Sequence, residues 1–269
     1  MSRFIDEQES ELSDEYLENG YLIRPVSDMT SLEWIHREIG SLIADNLEKG
    51  KAAGDVCDLF DHTDKCLNIP ELNDFRLAII QGINSKPEFR RYYYQLARQY
   101  LEVIVGNELA MQLRINLSIQ FPGDKSSLLP MHADTWSGDS PYEVVVWLPL
   151  VDCHDTKSMY IMPAQNYRNI LETFSKEDIR DSDDLFQKHE QDLEFLTVKF
   201  GEVLIFDQSL PHGNIVNTEG SVRWSMNCRF KGLFTPYGDK KLGEFFEPIT
   251  LKPASKRGMS YSLPVINEK

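Results

Sequence analysis

The chain has 269 residues, of which 41% are hydrophobic, and its formal net charge is −15. A chain of this length can bury a sizeable core as one domain over residues 1–269. The acidic balance argues against nucleic-acid binding by the whole surface, and no apolar run is long enough to span a bilayer. Seven acidic side chains lie between Asp6 and Glu18 where a signal peptide would be apolar. We therefore expect a cytoplasmic protein with reduced cysteines.

Residues 20–111 form a mostly helical support in our prediction. The acidic residues 1–19 are expected to be flexible or weakly helical, and residues 20–26 to form a short strand. Amphipathic periodicity predicts a helix that is capped by Thr30 or Ser31 and ends near Lys49. After a loop over residues 50–68, two more helices are predicted over residues 70–83 and 87–105.

After Gly106 the apolar period becomes that of strands. Strands are predicted over residues 112–121, 142–150, 158–162, 195–200, 202–206, 210–216 and 222–230, with a polar helical insertion over 165–192. This order indicates an α+β protein, mainly β, whose residues 112–232 form an antiparallel double-sheet jelly roll. The N-terminal helices would pack on one sheet, and residues 233–269 would form a C-terminal extension.

Two histidines and one aspartate have the pattern of a metal site. His132 and Asp134 are separated by one residue, so an extended backbone aims both side chains at one point. His212 follows 78 residues after Asp134, a separation typical of non-local β pairing. Two imidazoles and one carboxylate form the facial triad that holds non-haem Fe(II) and leaves positions open. His154, beside Asp155, is assigned to a loop.

Arg223 lies 11 residues after His212 and suits a dicarboxylate co-substrate. A hairpin in which Asn217 pairs with Gly220 would place His212 opposite Ser225, with Arg223 as the diagonal neighbour about 7–8 Å away. The planar guanidinium could then take the far carboxylate of a diacid that chelates the metal.

These residues carry a resemblance to a known family. His132-Ala133-Asp134, His212 and Arg223 resemble the phytanoyl-CoA dioxygenase-like branch of the Fe(II)/2-oxoglutarate-dependent oxygenases. Residues 107–110, 116–120, 132–141 and 223–236 are similar to a subgroup found sporadically in bacterial carbohydrate-biosynthesis gene clusters. The resemblance covers roughly residues 20–264.

The resemblance implies that the jelly roll is a cupin-like double-stranded β-helix. It also implies the cofactors and the roles of the site residues. His132, Asp134 and His212 would be the catalytic iron ligands, and Fe(II), 2-oxoglutarate and O2 the cofactors. Arg223 and Ser225 would bind the distal carboxylate of 2-oxoglutarate. The other end of this co-substrate is expected to contact two polar residues of a core strand, Asn116 and Gln120. The ligand Asp134 favours oxygenation, desaturation or epimerisation over halogenation, because halogenating relatives lack this carboxylate.

The expected substrate is a small polar molecule, such as a sugar or a nucleotide-linked sugar, that the enzyme hydroxylates. Trp136 and Tyr142 follow the metal motif and are candidate pocket residues. Residues 223–257 contain eight basic and three acidic side chains, and within them Lys231, Lys240 and Lys241 are candidates to bind an anionic part of the substrate. A 2-oxoglutarate-independent cupin-like metal protein and a non-catalytic binding module remain as alternatives. The sequence leaves the oligomeric state open.

Overall fold

The computed structural model describes residues 4–47, 56–174 and 180–264, with the backbone alone at 56–58 and 172–174. Its helices are α1 Glu7–Asn19, α2 Met29–Asn46, α3 Val56–Asp61, α4 Ile69–Asn84, α5 Glu88–Ile104, α6 Ala164–Phe174, α7 Ser182–His189 and α8 Pro253–Met259. Its strands are β1 Tyr21–Pro25, β2 Leu109–Gln112, β3 Asn116–Gln120, β4 Glu143–Pro149, β5 Tyr160–Ile161, β6 Glu194–Phe195, β7 Glu202–Asp207, β8 His212–Gly213, β9 Arg223–Gly232 and β10 Phe246–Pro248.

The first acidic segment, expected to be flexible or weakly helical, contains the helix α1. Asp6 caps α1 by accepting a hydrogen bond from the backbone of Glu9 at 2.9 Å. Gly20 ends the helix with a φ of 77°, a left-handed conformation that glycine adopts without steric cost. Tyr16 packs against the core, so tertiary contact stabilises a helix that its charge pattern alone would leave weak.

The helices α2, α4 and α5 confirm the amphipathic predictions, with small changes at their ends. Asp28, and neither Thr30 nor Ser31, caps α2, since its carboxylate accepts from the backbone of Thr30 at 3.0 Å. The predicted end of this helix at Lys49 lies outside the described residues. Asn68 and Glu71 form a reciprocal capping box at the start of α4.

The loop predicted over residues 50–68 is wrong where the structure describes it. The short helix α3 and a 3-10 turn, Thr63–Lys65, occupy part of this segment. Phe60 of α3 is fully buried, and its ring lies 5.2 Å from Trp224 in an edge-to-face contact. Long-range contacts of this kind stabilise a helix of only six residues, which would be marginal on its own.

Two antiparallel sheets face each other and form the double-stranded β-helix. The major sheet has the order β1-β7-β4-β9-β2-β10, and β3 pairs with the first half of β9. The minor sheet has the order β6-β5-β8. The apolar face of β9 packs towards α3 and α4, where Trp224 contacts Phe60 and Phe75. The fold class is thus the α+β jelly roll that was predicted, with helices packed on one sheet.

The hairpin predicted between His212 and Arg223 is wrong. β8 pairs with β5 in the minor sheet, whereas β9 pairs with β4 and β3 in the major sheet. The intervening residues cross from one sheet to the other. Asn217 is fully buried there, donating to the carbonyl of Ser221 at 2.9 Å and accepting from the backbone of Glu219 at 3.0 Å. These side-chain bonds stabilise a connection between sheets and replace a two-residue turn.

The strand predicted over residues 112–121 is divided. Asn84, at the end of α4, accepts from the backbone N–H of Ile115 at 2.9 Å and donates to its carbonyl at 3.0 Å. Both backbone groups of Ile115 are therefore used by one side chain, and the chain leaves the ladder between β2 and β3. The predicted strand at 210–216 is reduced to the two residues of β8, while β10 and α8 were not predicted.

Two buried cysteines within the described residues are free thiols, as expected: Cys153 and Cys228. Cys57 has no described side chain. None of the helices in the described ranges combines the length and apolarity needed to cross a membrane.

Candidate metal centre and co-substrate site

The two metal-site histidines lie side by side on the minor sheet. His132 and His212 pair through two backbone hydrogen bonds, of 3.0 and 2.8 Å, so the segment before Asp134 extends the sheet next to β8. Their ring centroids are 4.4 Å apart. Asp134 begins a 3-10 turn, and its backbone N–H donates to the carbonyl of Gln208 at 3.0 Å. The ligand atoms of the three side chains all lie within 4.8 Å of one another.

Hydrogen bonds to the backbone orient both imidazoles in the same way. Nδ1 of His132 lies 2.8 Å from the carbonyl oxygen of Pro130, and Nδ1 of His212 lies 2.8 Å from that of Leu210. A carbonyl only accepts, so each Nδ1 carries the proton and each Nε2 has a free lone pair. This is the tautomer that a metal-ligating histidine requires.

The charges of the triad suit a divalent cation at neutral pH. Burial, with the nearby His132, lowers the pKa of His212 to about 4, so this imidazole is neutral. Burial opposes ionisation of Asp134, but the hydrogen bond with His132 and the charge of Arg229 outweigh it and lower the pKa of this carboxyl. Burial also disfavours protonated His132, yet its bonds to Asp134 and Pro130 prevail and raise its pKa. A bound cation would replace that proton.

Arg223 lies on the opposite wall, in the major sheet. Its side chain is buried, donating to the carbonyl of Ser158 at 3.3 Å and to the hydroxyl of Ser118 at 3.0 Å. No carboxylate pairs with it among the described residues, and burial lowers its pKa to about 10. Two buried atoms here have no partner in the described part of the chain: Arg223 Nε and Ser158 Oγ. A buried guanidinium with an unused donor fits the carboxylate of a bound anion.

Strand alternation presents a polar face of the major sheet to the triad. The residues of β9 that line the cavity alternate along the strand: Arg223, Ser225, Asn227 and Arg229. The paired strand β3 adds Asn116 and Ser118, and Asn116 donates to Asn227 at 2.9 Å. Three lining residues were not predicted from the sequence: Ser118, Asn227 and Arg229. The last two follow from Arg223 at every second position along the strand.

The cavity between the two sheets has a volume of about 220 Å³. It brings together the triad, Arg223, Ser225 and Asn116, and its apolar lining includes Trp147, Met159 and Phe206. A larger cleft of about 520 Å³ lies elsewhere, lined by residues such as His36, Asp61 and Lys157, and no member of the triad contributes to it.

Gln120 does not line the cavity, which contradicts its expected contact with the co-substrate. It is fully buried, and its amide donates to the carbonyl of Ile215 at 2.8 Å. Its oxygen accepts from Asn214 at 3.3 Å. Gln120 thus holds the segment that follows β8.

The remaining substrate candidates also lie outside the cavity lining. Trp136 and Tyr142 are 44% and 54% exposed. Lys240 pairs with Asp139, and Lys241 donates to the carbonyl of Gly238. Lys231 is fully buried, and it donates to two backbone carbonyls. Each ammonium group already has a partner, and the anion site on these lysines stays a prediction.

Comparison with known proteins defines the class. Residues 16–223 match the model of the family described as phytanoyl-CoA dioxygenase (PhyH). The chain belongs to the phytanoyl-CoA dioxygenase family. It is therefore a non-haem oxygenase that uses Fe(II), 2-oxoglutarate and O2 and acts on a small molecule. No protein of curated function matches the sequence.

Solved structures share this fold at low identity. The non-heme alpha ketoglutarate dependent carbocyclase SnoK from nogalamycin biosynthesis is 16% identical, with a TM-score of 0.54 over 92% of this chain and 97% of that one. EctD from S. alaskensis is 17% identical, with a TM-score of 0.54 over 88% and 81%. HygX from Streptomyces hygroscopicus, with nickel and 2-oxoglutarate bound, is 12% identical, with a TM-score of 0.51 over 88% and 90%.

Proposed function

We propose that this protein hydroxylates a small polar metabolite, such as a sugar or nucleotide-linked sugar in carbohydrate biosynthesis, at an iron held by His132, Asp134 and His212. The observation that carries the proposal is Arg223, a buried guanidinium without a carboxylate partner in the described chain, which shares one cavity with the triad. When bound, Fe(II) and 2-oxoglutarate supply the oxidising chemistry, with succinate and CO2 as the co-products.

The protein's own residues would bind and orient the metal and the co-substrate, and they would exclude water from the site. The Nδ1 bonds to Pro130 and Leu210 hold both imidazoles with Nε2 towards the metal position. Arg223, already held by Ser118 and the carbonyl of Ser158, would place the distal carboxylate of 2-oxoglutarate, with Ser225 beside it on the same strand. Asn116 would contact the other end of the co-substrate, since it lines the same wall. Apolar residues on the remaining wall would keep water from the reacting centre.

The polar part of the lining supports a hydroxyl-rich substrate. Asn116, Ser118, Asn214 and Asn227 offer amide and hydroxyl groups, each of which both donates and accepts hydrogen bonds. A sugar presents the same mixture of donors and acceptors. No lysine is among the residues that line the cavity, so the lining offers no ammonium group to a phosphate.

The substrate class can be tested by coupling. Consumption of 2-oxoglutarate would be measured with matched free and nucleotide-linked sugars, and the products would be analysed by mass spectrometry for a gain of one oxygen atom. We expect stimulation by a sugar-containing compound and a hydroxylated product. A product that has lost two hydrogens would indicate desaturation instead of hydroxylation. A product of unchanged mass would indicate epimerisation.

A 2-oxoglutarate-independent metal protein, or a binding module without catalysis, is the competing proposal. Either alternative leaves Arg223 without a ligand. This is unfavourable, because burial of an uncompensated guanidinium costs free energy. Succinate formation that depends on the metal would exclude this alternative.

A further inference from the structure

Arg229 contacts the carboxylate of the metal triad directly. Its Nη2 donates to Asp134 Oδ2 at 2.6 Å, whereas Asp134 Oδ1 lies 3.6 Å from His132 Nε2. The two oxygens of Asp134 therefore have different surroundings. Oδ1 faces the imidazoles, and Oδ2 is engaged by the guanidinium.

We infer that Arg229 is a positioning residue that restricts Asp134 to ligation of the metal through one oxygen. This inference rests on the proposed function, because it takes the triad as the iron site. A carboxylate that ligates through both oxygens would fill one of the positions that a facial triad leaves open. A short charge-assisted bond to Oδ2 prevents this and keeps that position open for the co-substrate or O2.

The guanidinium of Arg229 is itself held by a buried network. Its Nε donates to the side-chain oxygen of Gln208 at 3.0 Å, and the amide of Gln208 donates to Glu143 at 2.9 Å. Gln208 and Glu143 are 0% and 1% exposed. The backbone carbonyl of Gln208 also accepts from Asp134 N–H. One residue thus fixes both the backbone of the ligand and the arginine that holds its carboxylate.

Arg229 and Arg223 serve different parts of the site. They lie six residues apart on β9, which is about 20 Å along an extended strand. Arg223 has no carboxylate partner among the described residues, whereas Arg229 is paired with Asp134 and has Asp139 at 4.0 Å. The first is therefore suited to an incoming anion, and the second to a carboxylate of the protein.

The test is the affinity of the metal site in the absence of 2-oxoglutarate. Co²⁺ would be titrated in competition with a chromophoric chelator against the full-length wild-type protein, Arg229→Gln, Arg229→Lys and the matched variant Arg223→Gln on the same strand. Loss of such a supporting contact costs about 10–100-fold in metal affinity. We expect that loss in Arg229→Gln, a partial recovery in Arg229→Lys and wild-type affinity in Arg223→Gln.

Comparison of lysine and glutamine at position 229 separates positioning from charge balance. Lysine retains the charge near Asp139 and Glu143 but cannot bond Asp134 and Gln208 as a planar fork. Full recovery of Co²⁺ affinity in Arg229→Lys would overturn the inference in favour of charge balance. Thermal unfolding of the metal-free variants serves as the folding control. Should Arg229→Gln not fold, Arg229→Lys carries the test, with a several-fold loss expected.

Other outcomes distinguish this inference from the proposed function. If Arg229→Gln kept the wild-type Co²⁺ affinity, or if Arg223→Gln lost as much affinity, the inferred role of Arg229 would be overturned. The proposed function would not be affected. Co²⁺ binding that does not change in His212→Ala would show that the triad is not the metal site, and the proposed function would fail with it.

Discussion

At the scale of single residues, Arg223 is a charge whose burial the protein alone does not compensate. Its nearest partners are a hydroxyl and a carbonyl, and Nε has no partner within the described ranges. Burying a guanidinium without a counter-ion is costly, and a bound carboxylate would remove that cost. We therefore propose that Arg223 is half of an ion pair whose other half is the co-substrate.

Replacement of Arg223 should weaken 2-oxoglutarate binding far more than it weakens metal binding. Removing one partner of a buried charge pair costs about 2–5 kcal/mol, and each 1.4 kcal/mol is a factor of about ten in affinity. Arg223→Ala should therefore raise the dissociation constant of 2-oxoglutarate by tens- to thousands-fold, and Arg223→Lys by less. Anaerobic titration of the Fe(II) protein measures this constant. Arg98→Ala, at an exposed arginine paired with Glu102, is the control and should leave it unchanged.

The sequence predicted the residues that share the cavity better than it predicted their neighbours. The spacing of four residues along the sequence reflects their chemistry: His132, Asp134, His212 and Arg223. Gln120 was assigned wrongly, because alternation gives the face of a strand and not the partner of a side chain. Its amide bonds to the carbonyl of Ile215, a contact made 95 residues away along the chain.

At the scale of elements, local periodicity predicted the helices α2, α4 and α5 and the strand β4. The helix α3 and the break between β2 and β3 depend on long-range contacts, with Trp224 and Asn84 respectively. No local pattern contains such contacts. For the same reason the connection from β8 to β9 was mistaken for a hairpin: its residues resemble a turn, but each strand finds its partners in a different sheet.

The strand β8 leaves no room for a side chain after His212. A Cβ on Gly213 would lie 2.5 Å from Tyr160 Oη and 2.7 Å from the carbonyl oxygen of Leu129. Gly213→Ala should therefore displace β8, cost about 1–3 kcal/mol of stability and lower metal affinity by moving His212. Chemical denaturation and Co²⁺ titration would measure both effects.

Gly220→Ala is the matched control for this prediction. No atom lies within 4 Å of a Cβ built at Gly220, so stability and metal affinity should stay at wild-type values. Equal effects of the two substitutions would show that the crowding at Gly213 does not position His212.

At the scale of the whole molecule, the site exists only where two sheets meet. The minor sheet supplies His132 and His212, and the major sheet supplies Arg223 and Arg229.

The core behind the major sheet holds Cys228, and burial raises the pKa of both Cys153 and Cys228 to about 12. These thiols connect the stability of the fold to pH.

The folded protein should lose stability as the solution becomes alkaline. An unfolded thiol ionises near pH ~8.5, whereas the two buried thiols keep their protons. The pKa of each thiol is higher in the folded protein than in the unfolded chain. The contribution of the thiols to the free energy of unfolding is therefore complete below pH ~8.5 and is lost as pH rises towards 12. Roughly 2 kcal/mol per thiol is lost by pH 10. Urea unfolding at about pH 7.5 and pH 10 measures this fall.

The cysteine variants assign the fall in stability to these groups. Cys228→Ala should lower stability at both pH values, because it leaves a cavity, yet show a smaller difference between them than the wild type. Met259→Ala, at an exposed side chain without a titratable group, should keep the wild-type difference. An unchanged difference in Cys228→Ala would mean that another group causes the alkaline loss.

We propose that His132, Asp134 and His212 hold Fe(II) in the same cavity in which Arg223 binds 2-oxoglutarate. To test this, Fe(II) and then 2-oxoglutarate would be added anaerobically to the metal-free protein, with the visible absorption recorded after each step. We predict that a metal-to-ligand charge-transfer band of the chelate appears only when both are present, at one equivalent of Fe(II), and is absent in His212→Ala. A protein that binds Fe(II) without developing this band at saturating 2-oxoglutarate, or a band of full intensity in His212→Ala, would contradict the claim.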